Sequence, residues 1–280
     1  MNNATFFFNQ PKNEPVFSYA KGSKERELLS KELEKQYNQC IEIPIIINGK
    51  EIRTGNVSEV VMPTEHSHVL AKFHKADKET VQKAIEAALE ARKKWENVHW
   101  IDRCSIMLRA AELLAGKYRY VINAATMLGQ GKNPFQAEID SACETIDFLR
   151  FNVHYASKIY AQQPLSDNSA INRLEYRGLE GFVYAISPFN FTSIACNLNI
   201  SPVLMGNVTV WKPATTAVLS NYYLMKILQE AGVPDGVINF VPGDGSVISD
   251  VCFSSKDLAG VHFTGSTRTF NNFGKLIGDN

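Results

Sequence analysis

Two polar side chains that could do chemistry follow short β-rich runs, each at a turn that contains proline. Asn190 comes after the run 182–186, and Lys212 comes directly after the run 208–211. A helix-length segment separates the two runs, which gives the outline of a βαβ unit. Because ligands of open parallel sheets bind beyond the carboxyl ends of the strands, we expect Asn190 and Lys212 to border a ligand crevice.

Both residues also have an ordinary structural interpretation. The amide of Asn190 could be held as a donor to a developing oxyanion, but asparagine at this spacing also caps a following helix. Lys212 could contact a ribose or a phosphate, or it could be a solvated lysine beside a turn. Phe189 and Phe191, which flank Asn190, are by default predicted to be core residues. Spacing alone favours the structural interpretation in each case.

Two glycine-containing loops between predicted strands and helices could bind a phosphate. One is Val-Pro-Gly-Asp-Gly, which ends at Gly245, and the other is Phe-Thr-Gly-Ser-Thr, which contains Ser266. Glycine lets the backbone approach an anion, and the following helix offers free N–H groups and the positive end of its dipole. Neither loop matches the G-x-G-x-x-G dinucleotide fingerprint, and glycine after a strand is also ordinary turn chemistry.

Acidic, histidine and cysteine residues give weaker signals. Glu138 sits beside the apolar stripe of a predicted helix, where a carboxylate either faces solvent or reaches a substrate. His66, His68 and His74 lack a metal-ligand spacing, so we assign no metal. The cysteines are far apart with no Cys-x-x-Cys pair, which predicts reduced thiols rather than a zinc site or a disulfide framework. They are Cys40, Cys104, Cys143, Cys196 and Cys252.

The composition is that of an ordinary folded protein. With 280 residues the chain can bury a substantial core as one large or two ordinary domains. Lys plus Arg and Asp plus Glu number 29 each, so no surface for nucleic acid or an anionic membrane is indicated. The longest apolar runs, such as 43–47, are too short to span a bilayer, and no secretory signal follows Met1. We expect an intracellular soluble protein without a visible targeting segment.

An N-terminal arm and a hairpin are predicted to precede the main helices. Residues 1–40 form the arm, which includes a polar helix over 23–37. Asn48-Gly49 is a strong hairpin signal that joins a strand at 41–47 to a return strand from 50 to 53.

The hairpin and a layer of helices together occupy residues 41–161. Asp77 is predicted to cap the first of these helices, and Gly129 and Gly131 end the third. Asn133-Pro134 opens a long fourth helix, with its cap and first-turn proline in the expected order. Its predicted buried stripe consists of Phe135, Ile139, Ala142, Ile146, Leu149 and Val153.

The last third of the sequence predicts an α/β fold. Residues 162–181 turn polar and are predicted to be an extended connector or an edge strand that contributes to oligomerisation. Over 182–280 strands alternate with helices, which predicts a doubly wound, parallel, Rossmann-like sheet. The predicted strands are 182–186, 208–211, 237–241 and 260–263, with helices at 193–205, 215–231, 246–253 and 267–277.

Several motifs, taken in order, resemble the aldehyde dehydrogenase superfamily. Ile186-Ser-Pro-Phe-Asn-Phe, Trp211-Lys-Pro and Phe263-Thr-Gly-Ser are general marks of the superfamily. Gln136-Ala-Glu-Ile-Asp, together with the Ser-Pro-Phe-Asn-Phe turn, resembles its Δ1-pyrroline-5-carboxylate dehydrogenase branch, also called L-glutamate γ-semialdehyde dehydrogenase. The resemblance covers nearly the whole chain. It implies an aldehyde dehydrogenase fold and NAD-dependent oxidation of L-glutamate 5-semialdehyde to L-glutamate in proline degradation.

The resemblance assigns roles to individual residues on the substrate side. It implies that Asn190 is the oxyanion-hole amide, that Phe191 packs against the aliphatic part of the semialdehyde, and that Glu138 lies at the substrate entrance. In the family reaction a cysteine thiolate attacks the aldehyde, hydride passes to nicotinamide, and a glutamate activates water to release the acid.

The cofactor side follows in the same way. The resemblance implies that Lys212 contacts the adenosine ribose of NAD, Ser266 contacts the pyrophosphate, Gly245 lies by the adenine side, and Ser187 belongs to the same site. Thr215 departs from the superfamily pattern, because many members carry a glutamate there that binds the ribose hydroxyls. The preference for NAD over NADP therefore rests on the resemblance.

The resemblance places the nucleophilic cysteine and the water-activating glutamate beyond Asn280. We therefore expect the chain to be the N-terminal portion of the enzyme, inactive alone, with Cys196 as a small core residue. The open alternatives are a naturally short, non-catalytic NAD-binding or dimer-partner module, and a relative such as glutamyl phosphate reductase. The resemblance also implies a homodimer or larger homo-oligomer, in the mitochondrial matrix of a eukaryote or the cytoplasm of a bacterium.

Overall fold

A computed structural model describes residues 7–278, so positions 1–6 of the predicted arm and 279–280 lie outside the described residues. The strands are β1 Ile41–Ile43, β2 Ile45–Ile47, β3 Lys50–Ile52, β4 Val57–Met62, β5 Glu65–His74, β6 Phe182–Ile186, β7 Thr209–Lys212, β8 Ile238–Phe240 and β9 Leu258–Phe263. The helices are α1 Lys24–Tyr37, α2 Lys78–Trp95, α3 Trp100–Ala115, α4 Arg119–Gln130, α5 Pro134–Ala137, α6 Thr145–Ala161, α7 Thr192–Leu204, α8 Val218–Ala231, α9 Gly245–Phe253 and α10 Thr267–Gly278.

The larger sheet confirms the predicted parallel, doubly wound fold. Its order is β3-β2-β8-β7-β6-β9, in which β8, β7, β6 and β9 are mutually parallel. Strand β2 pairs antiparallel with β8, and β3 pairs antiparallel with β2. The chain steps outward from β6 to β7 to β8 and then returns to place β9 on the other side of β6. The winding direction therefore reverses between β6 and β9, which is where open α/β sheets bind ligands.

The predicted continuous strand over 41–47 is wrong. Pro44 divides it into β1, which pairs with β5 in a separate three-stranded sheet, and β2, which joins the large sheet. Proline lacks the N–H that a ladder needs, so the chain changes sheets there. The hairpin at Asn48-Gly49 is confirmed, because both residues have positive φ, 50° and 73°, and Ile47 pairs with Lys50. The β4–β5 hairpin was not predicted.

The long helix after Asn133 contains a π-helical segment, Glu138–Glu144, between α5 and α6. The Asn133 cap is confirmed as a complete capping box. The predicted stripe is wrong at its start, because Phe135 and Ile139 are 58% and 41% exposed. A π turn holds more residues than the roughly 3.6 of an α turn, so a stripe spaced for an α-helix drifts off the buried face.

Two further segments refine the sequence expectations. Gly129 lies inside α4, and only Gly131, with φ 66°, ends that helix. Within residues 162–181 the structure shows no strand before β6, so this segment is an extended, largely exposed connector. Its part in oligomerisation stays a prediction. Over residues 7–278 none of the helices combines the length and apolarity that crossing a membrane requires.

The contact between β6 and β9 gives a test of this topology. Gly181 has φ +120°, and a Cβ there would lie 2.1 Å from the backbone oxygen of Asp257, at the start of the β6–β9 pairing. We expect Gly181→Ala to lower the free energy of unfolding by at least about 2 kcal/mol, because backbone must move. Urea denaturation measures the loss.

Gly55→Ala is the matched control, because Gly55 has φ +78° but nothing within 4 Å of the added Cβ. It should cost only about 1 kcal/mol, from backbone conformation alone. Equal losses for the two variants would contradict the close approach of Gly181 to Asp257.

Candidate functional site

The carboxyl ends of four parallel strands bring most of the predicted site residues together. Ile186 at the end of β6 pairs with Lys212 on β7 and with Phe263 on β9, and Trp211 pairs with Phe240 on β8. Backbone hydrogen bonds continue past the strand ends, because Ser187 N donates to Lys212 O at 3.2 Å and Thr264 N donates to Ile186 O at 3.3 Å. The loops after these strands therefore share one edge of the sheet.

Lys212 directs its side chain toward the N-terminus of α9. A Cβ on Gly245, the first residue of α9, would lie 3.8 Å from Lys212 Nζ. Burial lowers the pKa of Lys212, although the charge of Asp244 opposes this. Within residues 7–278 the Lys212 ammonium has no hydrogen-bond or ion-pair partner. An ammonium beside open helix N–H groups is suited to a polar or anionic ligand.

Ser266 and Ser187 occupy different environments at this edge. Ser266 is exposed and caps α10, because Thr269 N donates to its Oγ at 3.2 Å. Ser187 is 5% exposed, and its hydroxyl accepts a hydrogen bond of 2.9 Å from Trp211 Nε1. A second contact of 3.3 Å joins the Ser187 hydroxyl to Asn221 Oδ1. The Ser187 hydroxyl is thus already engaged inside the protein, and a cofactor contact at Ser187 stays a prediction.

The turn that carries Asn190 is solvent-facing. Asn190 is exposed and does not cap α7, whose N-cap residue is Phe191 with no side-chain cap bond. The prediction of Phe189 and Phe191 as core is wrong, because they are 67% and 36% exposed. All three side chains are therefore accessible to a ligand at this edge.

The cap of α7 comes instead from Asp140, which sequence reasoning missed. Its Oδ2 accepts from Thr192 N at 3.1 Å and its Oδ1 accepts from Ser193 N at 3.0 Å. Lys132 Nζ donates to Asp140 Oδ2 at 2.6 Å and lies 4.2 Å from the centre of the Phe191 ring. The only sequence signal was the Gln-Ala-Glu-Ile-Asp motif, which ends at Asp140.

Glu138 is enclosed rather than placed at an open entrance, which corrects the expectation for this residue. It is 0% exposed and pairs with the Arg119 guanidinium. Oε1 also accepts from Phe17 N at 2.9 Å, and Oε2 accepts from Tyr19 OH at 2.6 Å. Asn123 Nδ2 donates to Oε2 at 2.8 Å. Burial raises the pKa of Glu138, but the hydrogen bonds from Arg119 and Tyr19 outweigh it, so the pKa is lowered.

Asn13 and Glu14 of the arm extend the hydrogen-bond network around Glu138. Glu14 accepts hydrogen bonds of 2.5 Å from both Arg119 and Arg150. Glu14 N and Asn13 Nδ2 bind the Asp147 carboxylate at 2.8 and 2.7 Å. These contacts keep water from Glu138 and fix the π-helical segment against α4.

Four of the five thiols in the described structure are poorly suited to nucleophilic attack. Burial raises the pKa of Cys104, Cys143 and Cys196 to about 12 each, and the Glu138 charge adds to the shift at Cys143. Burial also raises the pKa of Cys252. Cys40 is exposed, directly before β1. Because the thiolate is the reactive form, the buried thiols are inert at neutral pH, and Cys196 is a core residue as predicted.

The chain is similar to known proteins. Residues 51–280 match the aldehyde dehydrogenase family. The chain is 52% identical to delta-1-pyrroline-5-carboxylate dehydrogenase of Agaricus bisporus over 279 residues, which is 99% of this chain and 51% of that protein. It is 49% identical to the mitochondrial human enzyme of the same name over 268 residues, 96% of this chain and 48% of that protein.

A solved structure is also similar to this chain. The crystal structure of delta-pyrroline-5-carboxylate dehydrogenase from Mycobacterium tuberculosis bound with NAD superposes with a TM-score of 0.98 at 47% identity. The match covers 100% of this chain and 52% of the other. The chain thus spans about half the length of the relatives that it matches.

The burial of the Glu138 carboxylate leads to a prediction about stability. Glu138→Gln removes the charge that pairs with Arg119, and breaking a buried pair costs about 3–5 kcal/mol. Since folding lowers the pKa of Glu138 from its ordinary 4.5, the stabilisation is present above about pH 4.5 and is lost as the pH falls through the folded-state value. The stability gap between wild type and variant, measured by urea denaturation, should shrink below pH 4.5.

Glu59→Gln serves as the control, because its partner Lys72 is 3.7 Å away and both side chains are about half exposed. It should change stability by less than about 1 kcal/mol at any pH. A Glu138→Gln effect as small as this would contradict the enclosed ion pair.

Proposed function

The chain belongs to the aldehyde dehydrogenase family, and we propose that it supplies the NAD-binding part of an enzyme that oxidises L-glutamate 5-semialdehyde to L-glutamate. The observation that carries the proposal is the shared sheet edge at which Asn190, Lys212, Gly245 and Ser266 lie. The names of relatives about half identical to the chain support the substrate and the place of the reaction in proline degradation.

The strand-end edge suits a dinucleotide. Lys212 would donate to a ribose hydroxyl, Gly245 would leave room at the start of α9, and Ser266 would face the pyrophosphate at the start of α10. The helix N-termini add partial positive charge for the phosphates. NAD, which is named as bound in the Mycobacterium tuberculosis relative, would accept the hydride. The glycine step at α9 fits this group, because only the Lys212 side chain lies near the absent Cβ.

The Asn190 turn would face the aldehyde. Its side-chain amide would donate to the oxygen that becomes negative when the carbonyl is attacked, and losing such a donor typically costs about 2.7–4 kcal/mol. The exposed ring of Phe191 would pack against the aliphatic carbons of the semialdehyde. Glu138 would act from inside, by fixing the segment that carries Asp140. We propose that the nucleophilic cysteine and the water-activating glutamate are supplied from outside these 280 residues.

The inert thiols favour one second candidate, a non-catalytic NAD-binding or dimer-partner module. The first candidate predicts that the open reading frame, read to its natural stop codon, encodes a segment with the nucleophilic cysteine. The second predicts that it encodes no such segment. We propose homo-oligomerisation for the catalytic case, and a mitochondrial location if the source is eukaryotic, because the human and Dictyostelium discoideum relatives are named mitochondrial.

Cofactor binding can be measured on this chain directly. Isothermal titration calorimetry should detect NAD binding, and Lys212→Met should weaken it about ten- to hundredfold, the value of one charged hydrogen bond. Lys226→Met is the control, because the Lys226 side chain is 42% exposed and its ion pair with Glu51 is long, at 3.9 Å. Equal effects of the two variants, or no binding to wild type, would refute the cofactor site.

Catalysis is expected to require more than these 280 residues. The purified chain, given Δ1-pyrroline-5-carboxylate and NAD, should form no NADH above background, because the proposed nucleophilic cysteine is not among these residues. The product of the open reading frame read to its stop codon should form NADH with the same substrates. Sustained turnover by the 280-residue chain, free of host enzyme, would overturn this division of roles.

A further inference from the structure

The N-terminus of α7 is held by a carboxylate from a different part of the chain. The first N–H groups of a helix have no intrahelical acceptor, and the residue just before the helix normally supplies one. Here the residues before α7 supply none, and Asp140 of the π-helical segment, 52 and 53 positions away, accepts from Thr192 N and Ser193 N.

This long-range cap is buried and strongly partnered. Asp140 is 1% exposed, and in addition to the two backbone donors it accepts from Ser193 Oγ at 2.8 Å and from Lys132 Nζ at 2.6 Å. A buried carboxylate with a cationic partner and donors on both oxygens is fixed in position. The negative charge also lies at the positive end of the α7 dipole.

The long-range cap anchors the turn that carries Asn190. Phe191 is the N-cap residue of α7 and its side chain makes no cap bond, so the carboxylate of Asp140 is what ties this turn to the π-helical segment. The Asn190 side chain, one position before the N-cap residue, is exposed. Lys132 holds the adjacent residue as well, since its ammonium lies 4.2 Å from the centre of the Phe191 ring.

The π-helical segment is itself held from two sides. Glu138 binds Arg119 of α4 and the backbone and side chains of the arm, whereas Asp140 binds α7. The segment therefore fixes the distance between the arm, α4 and the turn before α7. A π-helical segment inside a longer helix is frequently found at a functional site.

We propose that Asp140, oriented by Lys132, is a positioning residue that holds the turn 187–191 so that the Asn190 amide faces the reacting aldehyde. This inference rests on the proposed function for the role of Asn190. The arrangement of Asp140, Lys132 and α7 is testable without cofactor or turnover.

Nuclear magnetic resonance on the 280-residue chain, without NAD, tests the arrangement of Asp140, Lys132 and α7 separately from the proposed function. In Asp140→Asn, hydrogen exchange at the amides of Thr192 and Ser193 should become about tenfold faster, because their charged acceptor is lost. The side-chain amide signals of Asn190, assigned with an Asn190→Asp variant, should shift in the same protein. The amide of Ala195 should keep its protection, because it donates within the helix to Phe191 O.

Lys132→Met tests the same arrangement without removing the carboxylate. It should shift the Phe191 ring and Asn190 side-chain signals and speed exchange at Thr192 and Ser193 about two- to fivefold. If Asp140→Asn does not fold, these readouts in Lys132→Met decide the question. Asp147→Asn is the matched control, because Asp147 follows the same segment but binds the arm, and it should leave Asn190 unchanged.

Two results would overturn the proposal. One is a folded Asp140→Asn chain, or a folded Lys132→Met chain if the first does not fold, in which the Asn190 signals match wild type. The other is an equal shift of the Asn190 signals in Asp147→Asn, which would indicate a general loosening of the helix layer. Failure of NAD binding would refute the proposed function but leave these signals, and the cap itself, untouched.

Discussion

Strand β6 is the constraint on which the candidate site depends. All five of its residues are buried, and it pairs in parallel with β7 on one side and with β9 on the other. The two neighbours are reached by opposite directions of winding, and ligands of open α/β sheets bind at the carboxyl edge where the winding reverses. Asn190, Lys212 and Ser266 lie at the same edge of the sheet because β6 lies between β7 and β9.

The helices on one side of this sheet act as a support for the turn after β6. Polar groups buried among them are costly unless they are fully bonded, and here the carboxylates of Glu138 and Asp140 are both paired with cations. The pairing fixes relative positions more than it adds stability. The accessible Asn190 turn is therefore backed by a rigid, bonded interior, which suits a donor that must not reorganise during a reaction.

The sequence predicts well those features that are decided by neighbours in the chain. The caps at Asp77 and Asn133, the hairpin at Asn48-Gly49 and the four parallel strands follow from local chemistry and periodicity. Features decided by distant parts of the chain were missed. The sheet change at Pro44, the enclosure of Glu138 and the capping of α7 by Asp140 depend on which surfaces meet after folding, and no local pattern reports that. The exposure of Phe135 and Ile139 follows from a π-helical segment whose spacing an α-helical stripe does not describe.

We propose above all that the edge formed by the carboxyl ends of β6, β7, β8 and β9 is a dinucleotide site. The most direct measurement is the map of backbone amide signals that shift when NAD is titrated into the labelled chain. We expect shifts clustered at 187–191, 212, 243–246 and 264–267. Shifts clustered instead at the 790 Å³ cavity beneath the connector, which is lined by Trp100, Tyr160 and Tyr176 among others, would contradict it.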